Sequence, residues 1–329
     1  MIISRTPFRV SFFGGGTDFP SYYEQHGGVT LLTSINKYCY ISLHALSPFF
    51  KHRFRASYAR TESVLTPEEF EHPLVRECLL YHRPETGLEI SHVSDLPGRT
   101  GLGSSSAFTV GLLHALHGFH GRRVTAEDLA REAIHIERVR VGDSGGHQDQ
   151  YAVAYGGFIR LDFKPGQNVE VKRLALPAQR IEQLEQHVVM YFTGLEQSAE
   201  TLLQQQNKNT AKNEAALHEM KKLADQAEHL LVGGGDIDAF GDLLHESWMR
   251  KRGLSSGISN QEIDHIYDRA RAAGATGGKL LGAGGRGFLL LWVPPERRET
   301  VRTAMAGLQE IDFRCSHEGT RIIFQDLDE

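Results

Sequence analysis

Pro97-Gly98-Arg99-Thr100-Gly101-Leu102-Gly103-Ser104-Ser105-Ser106-Ala107 is a glycine- and serine-rich loop that opens directly onto an amphipathic helix. After Ala107, the residues Phe108, Leu112, Ala115, Leu116 and Phe119 recur at helical spacing, and Gly118 and Gly121 mark the far end. Upstream, Leu88-Glu89-Ile90-Ser91-His92-Val93 alternates as a strand does. Strand, loop and helix start follow in the order that aims backbone N–H groups and the positive end of a helix dipole at a phosphate. The hydroxyls of Ser104, Ser105 and Ser106 add donors and an oxygen ligand for Mg²⁺, although three serines also suit a plain N-cap.

Other nucleotide and nucleophile patterns fit less well. Gly103-Ser104-Ser105-Ser106-Ala107 approaches the G-x-S-x-G elbow of serine hydrolases but lacks its last glycine, and no HGGG-like segment precedes it. Gly278-Lys279 is followed by Leu280, which excludes a P-loop. Gly282-Ala283-Gly284-Gly285-Arg286-Gly287 satisfies G-x-G-x-x-G, but a helical segment precedes it and a strand follows, the reverse of a dinucleotide fingerprint.

At 329 residues, with 40% hydrophobic and 23% charged residues, the chain has room for two packed domains. The longest apolar run, Phe288 to Val293, ends at Pro294-Pro295 and is too short to span a bilayer. The first residues show no secretory h-region, and Cys39, Cys78 and Cys315 suit reduced core thiols, so a cytoplasmic protein is expected. A net charge of −5 argues against a nucleic-acid surface, so an anionic ligand needs a local basic cluster such as Lys51 to Arg55 or Arg250-Lys251-Arg252.

Patterning predicts strands at 2–13 and 29–43 around Gly14-Gly15-Gly16, a helix at 127–141, a strand at 156–163 and a strand starting at 187. Helices are expected at 198–232, 236–251, 261–273 and 296–308, strands at 288–293 and 320–324, and a domain boundary near 180. Two carboxylates stand out. Glu137 shares the apolar stripe of Leu129 and Ala133, where an ionised group needs a cation; Mg²⁺ or a partner such as Arg140 or Arg9 would serve. Asp149 lies in Gly142-Asp143-Ser144-Gly145-Gly146-His147-Gln148-Asp149-Gln150, read as a constrained loop, where either Asp149 or His147 is a candidate proton acceptor.

Three segments taken together are specific: Pro7 to Asp18 (PFRVSFFGGGTD), the serine loop 97–107, and Gly278 to Phe288 (GKLLGAGGRGF). Their order and separation resemble the three motifs of the GHMP small-molecule kinases. Phe12 to Pro20, Leu244-His245-Glu246-Ser247-Trp248 and Gly277 to Gly284 are similar to the D-glycero-D-manno-heptose 7-phosphate kinases within that superfamily. The resemblance implies an α+β fold of two domains. Residues 1–180 would form an ATP-binding domain like domain 2 of ribosomal protein S5, and residues 181–329 a ferredoxin-like domain. It implies ATP held by Arg99, Thr100, Gly101, Leu102, Gly103, Ser104, Ser105 and Ser106, Mg²⁺ on Ser105 and Glu137, and Asp149 as catalytic carboxylate beside Arg9. It places sugar near Gly14, Gly15, Gly16, Thr17, Asp18, Gly284 and Gly285, with Lys251 and Arg252 as candidates for a substrate phosphate. The expected reaction is phosphorylation of heptose 7-phosphate at its anomeric hydroxyl by a monomer or homodimer with no nucleic-acid or membrane partner. A fucose- or galactose-like sugar, and a non-catalytic sugar or nucleotide sensor, are the alternatives. Gly15-Gly16 replaces the Glu-His of galactokinases, and Arg286 stands where the family usually has glycine.

Overall fold

The first strand, β1 (Ile2–Phe13), alternates buried and less buried residues from Ile2 to Arg5 and is buried without a break from Thr6 to Phe13. This change from period two to continuous burial marks the point where both faces of the sheet become covered. The computed structural model describes residues 1–194 and 199–326. After α1 (Pro20–His26), the long β2 (Gly28–Ala45) returns antiparallel to β1. It then carries β5 (Leu88–Ser94) at one end and β6 (Phe158–Lys164) at the other. The small strands β3 (Phe54–Ser57) and β4 (Thr61–Val64) extend the edge beyond β5, and β7 (Asn168–Arg173) pairs with β6.

Helices α2 (Pro73–His82), α3 (Ser104–Phe119), α4 (Ala126–Ile134) and α5 (Gln148–Tyr155) accompany this sheet. Helix α3 packs on β1 and β2 and is covered by α4 and α5. Gly111 lets it approach closely, since a Cβ there would lie 2.9 Å from Thr6 Oγ1, and its carbonyl accepts from Ser4 Oγ at 2.7 Å.

A second sheet begins after α6 (Ala178–His187) with β8 (Val188–Phe192). Helices α7 (Ala199–Lys208), α8 (Glu214–Val232), α9 (Ala239–Arg252) and α10 (Gln261–Ala272) lead to β9 (Gly277–Leu280) and β10 (Phe288–Trp292). Helix α11 (Arg298–Ala304) then leads to β11 (Gln309–Ile311). The strand order β11-β8-β10-β9, all antiparallel, is the fourth-first-third-second order of a ferredoxin-like unit whose first crossover has grown to four helices. Val188, Met190, Leu290 and Trp292 on one face join the core that runs through the first sheet. Val189, Tyr191, Leu289 and Leu291 on the other join Trp248, Ile263, Tyr267 and Val301 in a second core.

Several expectations change. The chain does not divide cleanly at 180, because β12 (Cys315–Ser316) and β13 (Arg321–Gln325) return to pair with β2 and β1 in the first sheet. The helix expected at 127–141 is α-helical only to Ile134 and continues as a π turn from His135 to Val141. The helical run from 198 is broken at residues 209–213, and its expected start at Ser198 lies outside the described residues. Strands β3, β4, β7, β9, β11 and β12 and helices α1, α2, α5 and α6 had no counterpart in the patterning, being short or strung with glycine and charge.

Candidate active site

Arg9 stands where β1 loses regular pairing: the register to β2 shifts between Pro7 and Arg9 and again between Ser11 and Phe13. Such bulges bend a strand and re-aim its side chains. The guanidinium, 4% exposed, forks onto Asp149, with Nε donating to Oδ1 at 2.7 Å and Nη2 to Oδ2 at 2.6 Å. Nη1 donates to the Gly101 carbonyl at 2.6 Å, and the Arg9 backbone N–H to the Leu102 carbonyl at 3.1 Å. One buried cation therefore ties β1 to the loop and to α5. Asp149 is not on a loop, as the glycines around it suggested, but in the first turn of α5, where a helix dipole favours a carboxylate.

Gly101 and Gly103 both hold left-handed φ angles, +80° and +73°. A Cβ at 101 would collide with the Leu281 carbonyl, and one at 103 would press on Arg9 Cγ at 3.0 Å. Thr100 and Leu102 are buried supports of the loop; the Thr100 carbonyl accepts the Phe288 N–H at 3.2 Å. Helix α3 starts without a side-chain cap or an acidic residue in its first turn, which leaves its leading N–H groups to an anion. Ser104 Oγ accepts the Arg99 N–H at 3.3 Å and closes the loop on itself.

Glu137 lies on the π turn and is 1% exposed. Its Oε2 accepts from Ser106 Oγ at 3.1 Å and Gln150 Nε2 at 2.6 Å, with Arg138 Nη2 at 3.5 Å. Ser105, expected beside Glu137, faces outward instead, because the first turn of α3 points Ser106 inward. Neither Arg140 nor Arg9 partners Glu137: Arg140 pairs with Glu77 and Arg9 with Asp149. Glu137 Oε1 and Gln150 Oε1 are buried without a hydrogen bond. Burial pushes the Glu137 carboxyl up, and the nearby Asp149 charge adds to it, while Arg138 opposes. An unpartnered oxygen on a buried acid and another on the amide beside it, with a hydroxyl close by, fit a hard divalent cation such as Mg²⁺.

Asp18 is buried and holds the chain around it: Oδ1 accepts the Gly16 N–H at 2.8 Å and Oδ2 the Gln148 N–H at 3.3 Å. Burial raises its pKa, with the Asp149 charge adding to the effect. A Cβ on Gly14 would collide with the Val29 carbonyl, and Thr17 Oγ1 donates to the Gly14 and Val29 carbonyls, so these two positions shape the turn. Gly15 and Gly16 flank Gln148, Gln206 and Leu217. Gly284 and Gly285 pack against Ile258 and Asn260; the Gly285 N–H donates to the Ile258 carbonyl at 3.1 Å. Arg286 is a brace, donating to the Thr193 carbonyl and to Glu262.

Lys279 and Lys251 come together beneath this loop. Lys279 Nζ, 3% exposed at the residue level, donates to the Ser11 and Phe12 carbonyls at 2.7 and 3.0 Å and so joins the second sheet to the end of β1. Burial first, then the Lys251 and Arg9 charges, hold its pKa well below the usual lysine value. Lys251 Nζ donates to the Gly282 carbonyl at 2.7 Å, whereas Arg252 turns away to Asp264 at 2.8 Å. Patterning offered Ser106 among the loop hydroxyls but preferred Ser105 beside Glu137, and it missed Gln150, Arg138 and Lys279. Gln150 follows Asp149 directly and Arg138 follows Glu137, but adjacency along the chain does not say which side chains meet.

His147 is buried, with Nδ1 3.0 Å from Tyr23 Oη, and burial lowers its pKa to about 4. At neutral pH it is an uncharged, weakly basic imidazole, and Asp149 is left as the carboxylate beside the loop.

An uncapped helix start behind a glycine loop, a buried acid and an arginine-held carboxylate fit a small-molecule kinase, and the chain belongs to the GHMP kinase family. The description GHMP kinases N terminal domain matches residues 73–157, and GHMP kinases C terminal matches 216–308. The chain is similar to the D-glycero-alpha-D-manno-heptose 7-phosphate kinase of Campylobacter jejuni, 28% identical over 97% of this chain and 98% of that protein. It is also similar to the mevalonate kinase of Pyrococcus horikoshii, 30% identical over 82% of this chain and 78% of that protein. A solved D-glycero-D-manno-heptose 1-phosphate kinase from Bacteroides thetaiotaomicron superposes with a TM-score of 0.79 at 27% identity, over 97% of this chain and 98% of that one.

Three measurements check this site. Asp149→Asn is expected to keep nucleotide affinity and lose at least roughly 10²-fold in turnover; near-native turnover would remove Asp149 from the chemistry. Glu137→Gln and Ser106→Ala should each raise the Mg²⁺ concentration for half-maximal rate, with Ser105→Ala changing it less; native Mg²⁺ dependence in the first two would make Glu137 a structural group. For pH, unfolded histidine takes up a proton near 6.5, whereas folded His147 and His114 do so only near 4. Stability is therefore full above about pH 6.5 and falls toward pH 4, by up to about 1.4 kcal/mol per pH unit for each histidine. Urea midpoints should show this, and His147→Gln should flatten the slope; an unchanged slope in that variant would contradict the neutral His147.

Proposed function

We propose that this protein transfers the γ-phosphoryl group of ATP to the anomeric hydroxyl of D-glycero-D-manno-heptose 7-phosphate, giving the 1,7-bisphosphate. The observation that carries the reading is the forked Arg9–Asp149 pair, which stands within hydrogen-bond reach of the phosphate loop through the Gly101 carbonyl. The Campylobacter jejuni relative, by its name, acts on the 7-phosphate, and its similarity over nearly the whole chain favours this sugar over an unphosphorylated one.

Phosphoryl transfer asks a protein mainly for positioning and charge neutralisation. The loop 99–106 holds the triphosphate with backbone N–H groups at the start of α3. Glu137 and Ser106 would hold Mg²⁺, with Gln150 beside them, and the ion supplies charge neutralisation on the phosphates when bound. Asp149, 23% exposed while Arg9 is not, orients the O1 hydroxyl and accepts its proton as the oxygen attacks phosphorus. Arg9 fixes the direction of Asp149, since both carboxylate oxygens are gripped. The segment Gly15 to Asp18 borders the sugar, with Asp18 acting through the backbone it holds.

The substrate phosphate needs a cation away from the loop. Lys251, at the Gly282 carbonyl and beside buried Lys279, lies nearer the glycine loop than Arg252, whose guanidinium donates to Asp264 on α10. Lys251→Ala should therefore raise the KM for heptose 7-phosphate with little change in that for ATP, and Arg252→Ala should do so less. Equal losses on phosphorylated and unphosphorylated heptose would show that the phosphate is held elsewhere. The reading as a whole is tested with ATP and a panel of heptose phosphates, fucose, galactose and mevalonate, followed by phosphorus NMR. A new anomeric phosphate on heptose 7-phosphate is expected, and preferential phosphorylation of an unphosphorylated sugar would overturn it.

A further inference from the structure

At the end of α3 opposite the phosphate loop, roughly 20 Å away by helix rise, His117 meets His82 from the last turn of α2 and Glu132 from α4. One ligand atom from each lies within 4.8 Å of the other two. His82 Nε2 is 3.1 Å from Glu132 Oε1, and His117 Nε2 is 2.8 Å from Glu132 Oε2. The His82 side chain is 2% exposed, that of Glu132 10% and that of His117 16%.

The hydrogen bonding here is incomplete. His82 Nε2 makes no hydrogen bond despite its distance from the carboxylate, so it is not aligned for an N–H···O contact. His117 Nδ1 and His120 Nε2 are also buried without partners, and the His120 ring lies parallel to His82 at 6.2 Å. Buried imidazole nitrogens without partners are costly, and a single carboxylate neutralises only one of two imidazolium rings. Neutral imidazoles with a carboxylate form instead the nitrogen and oxygen donor set of a borderline divalent metal. Zinc bonded to such ligands at 2.0 to 2.2 Å sets neighbouring donors about 3.3 Å apart; here one carboxylate oxygen of Glu132 faces each ring, Oε1 at 3.1 Å from His82 Nε2 and Oε2 at 2.8 Å from His117 Nε2.

We propose that His82, His117 and Glu132 form a Zn²⁺ site, with water as the fourth ligand. The metal pins together the ends of α2 and α3 and the middle of α4. Because α4 runs on into the π turn that carries Glu137, it also steadies the helix behind the active site. No reaction is assigned to it.

The test uses the full chain, stripped with EDTA and then titrated with Co²⁺. One equivalent should produce the visible bands of a four-coordinate nitrogen and oxygen site, erased by Zn²⁺, and Zn²⁺ should raise the thermal midpoint of the stripped protein. His82→Gln and His117→Gln should each remove the bands, while Glu137→Gln and His218→Ala leave them. The last control separates this cluster from His26, Glu214 and His218, the other such group among the described residues. If a variant fails to fold, the parent titration decides: no four-coordinate bands, with no rise in midpoint, would mean a charge network without a metal. Bands that survive both histidine substitutions, or vanish only in His218→Ala, would also overturn the assignment.

Discussion

A guanidinium 4% exposed to solvent cannot stand without partners, and the partners of Arg9 are what the site is made of. Four atoms of the loop and α5 meet it or its backbone: both Asp149 oxygens, the Gly101 carbonyl and the Leu102 carbonyl, while Gly103 leaves the room beside its side chain that a Cβ would crowd. Removing one partner of such a buried pair costs about 3–5 kcal/mol, because the remaining charge stays buried. The bulges in β1 that aim Arg9, the left-handed glycines that let the loop reach it and the placement of Asp149 in the first turn of α5 serve one electrostatic requirement.

The second sheet completes the site from the other side. Gly101 and Gly287 are small enough for two loops to meet backbone to backbone, at Leu281 and Thr100. Phe240 packs edge-on against Phe12 and Phe13 and tilts against Trp292, so apolar contact holds the two sheets in register behind the loops. Lys279 Nζ, itself buried, then caps the carbonyls at the end of β1, a contact that depends on that register. The return of β12 and β13 to the first sheet closes the chain over the joint.

Much of this was legible along the chain. The spacing after Ala107 is that of α3, the alternation at 88–93 is that of β5, and the glycine clusters at 14–16, 101–103 and 282–287 mark real close approaches. Long elements with a clear period survive tertiary packing because their buried face is fixed by the sequence pattern. Short strands do not: β9 is Gly277-Gly278-Lys279-Leu280, and its strand character comes from β10 alongside it.

What the sequence determined by itself is the class of chemistry: a loop for phosphate, two carboxylates out of their usual settings and an arginine ahead of a glycine turn. Tertiary structure alone decided which atoms face one another. Helix α5 begins one residue before Asp149, which turns a presumed loop carboxylate into a dipole-favoured one. The π turn at 135–141 and the pitch of α3 bring Ser106, not Ser105, to Glu137. Asp264 draws Arg252 away while Lys251 stays at the glycine loop. Residue type and spacing limit which groups a segment can offer, but a shift of one position along a helix swings a side chain by about 100°, and only packing against other segments selects the angle.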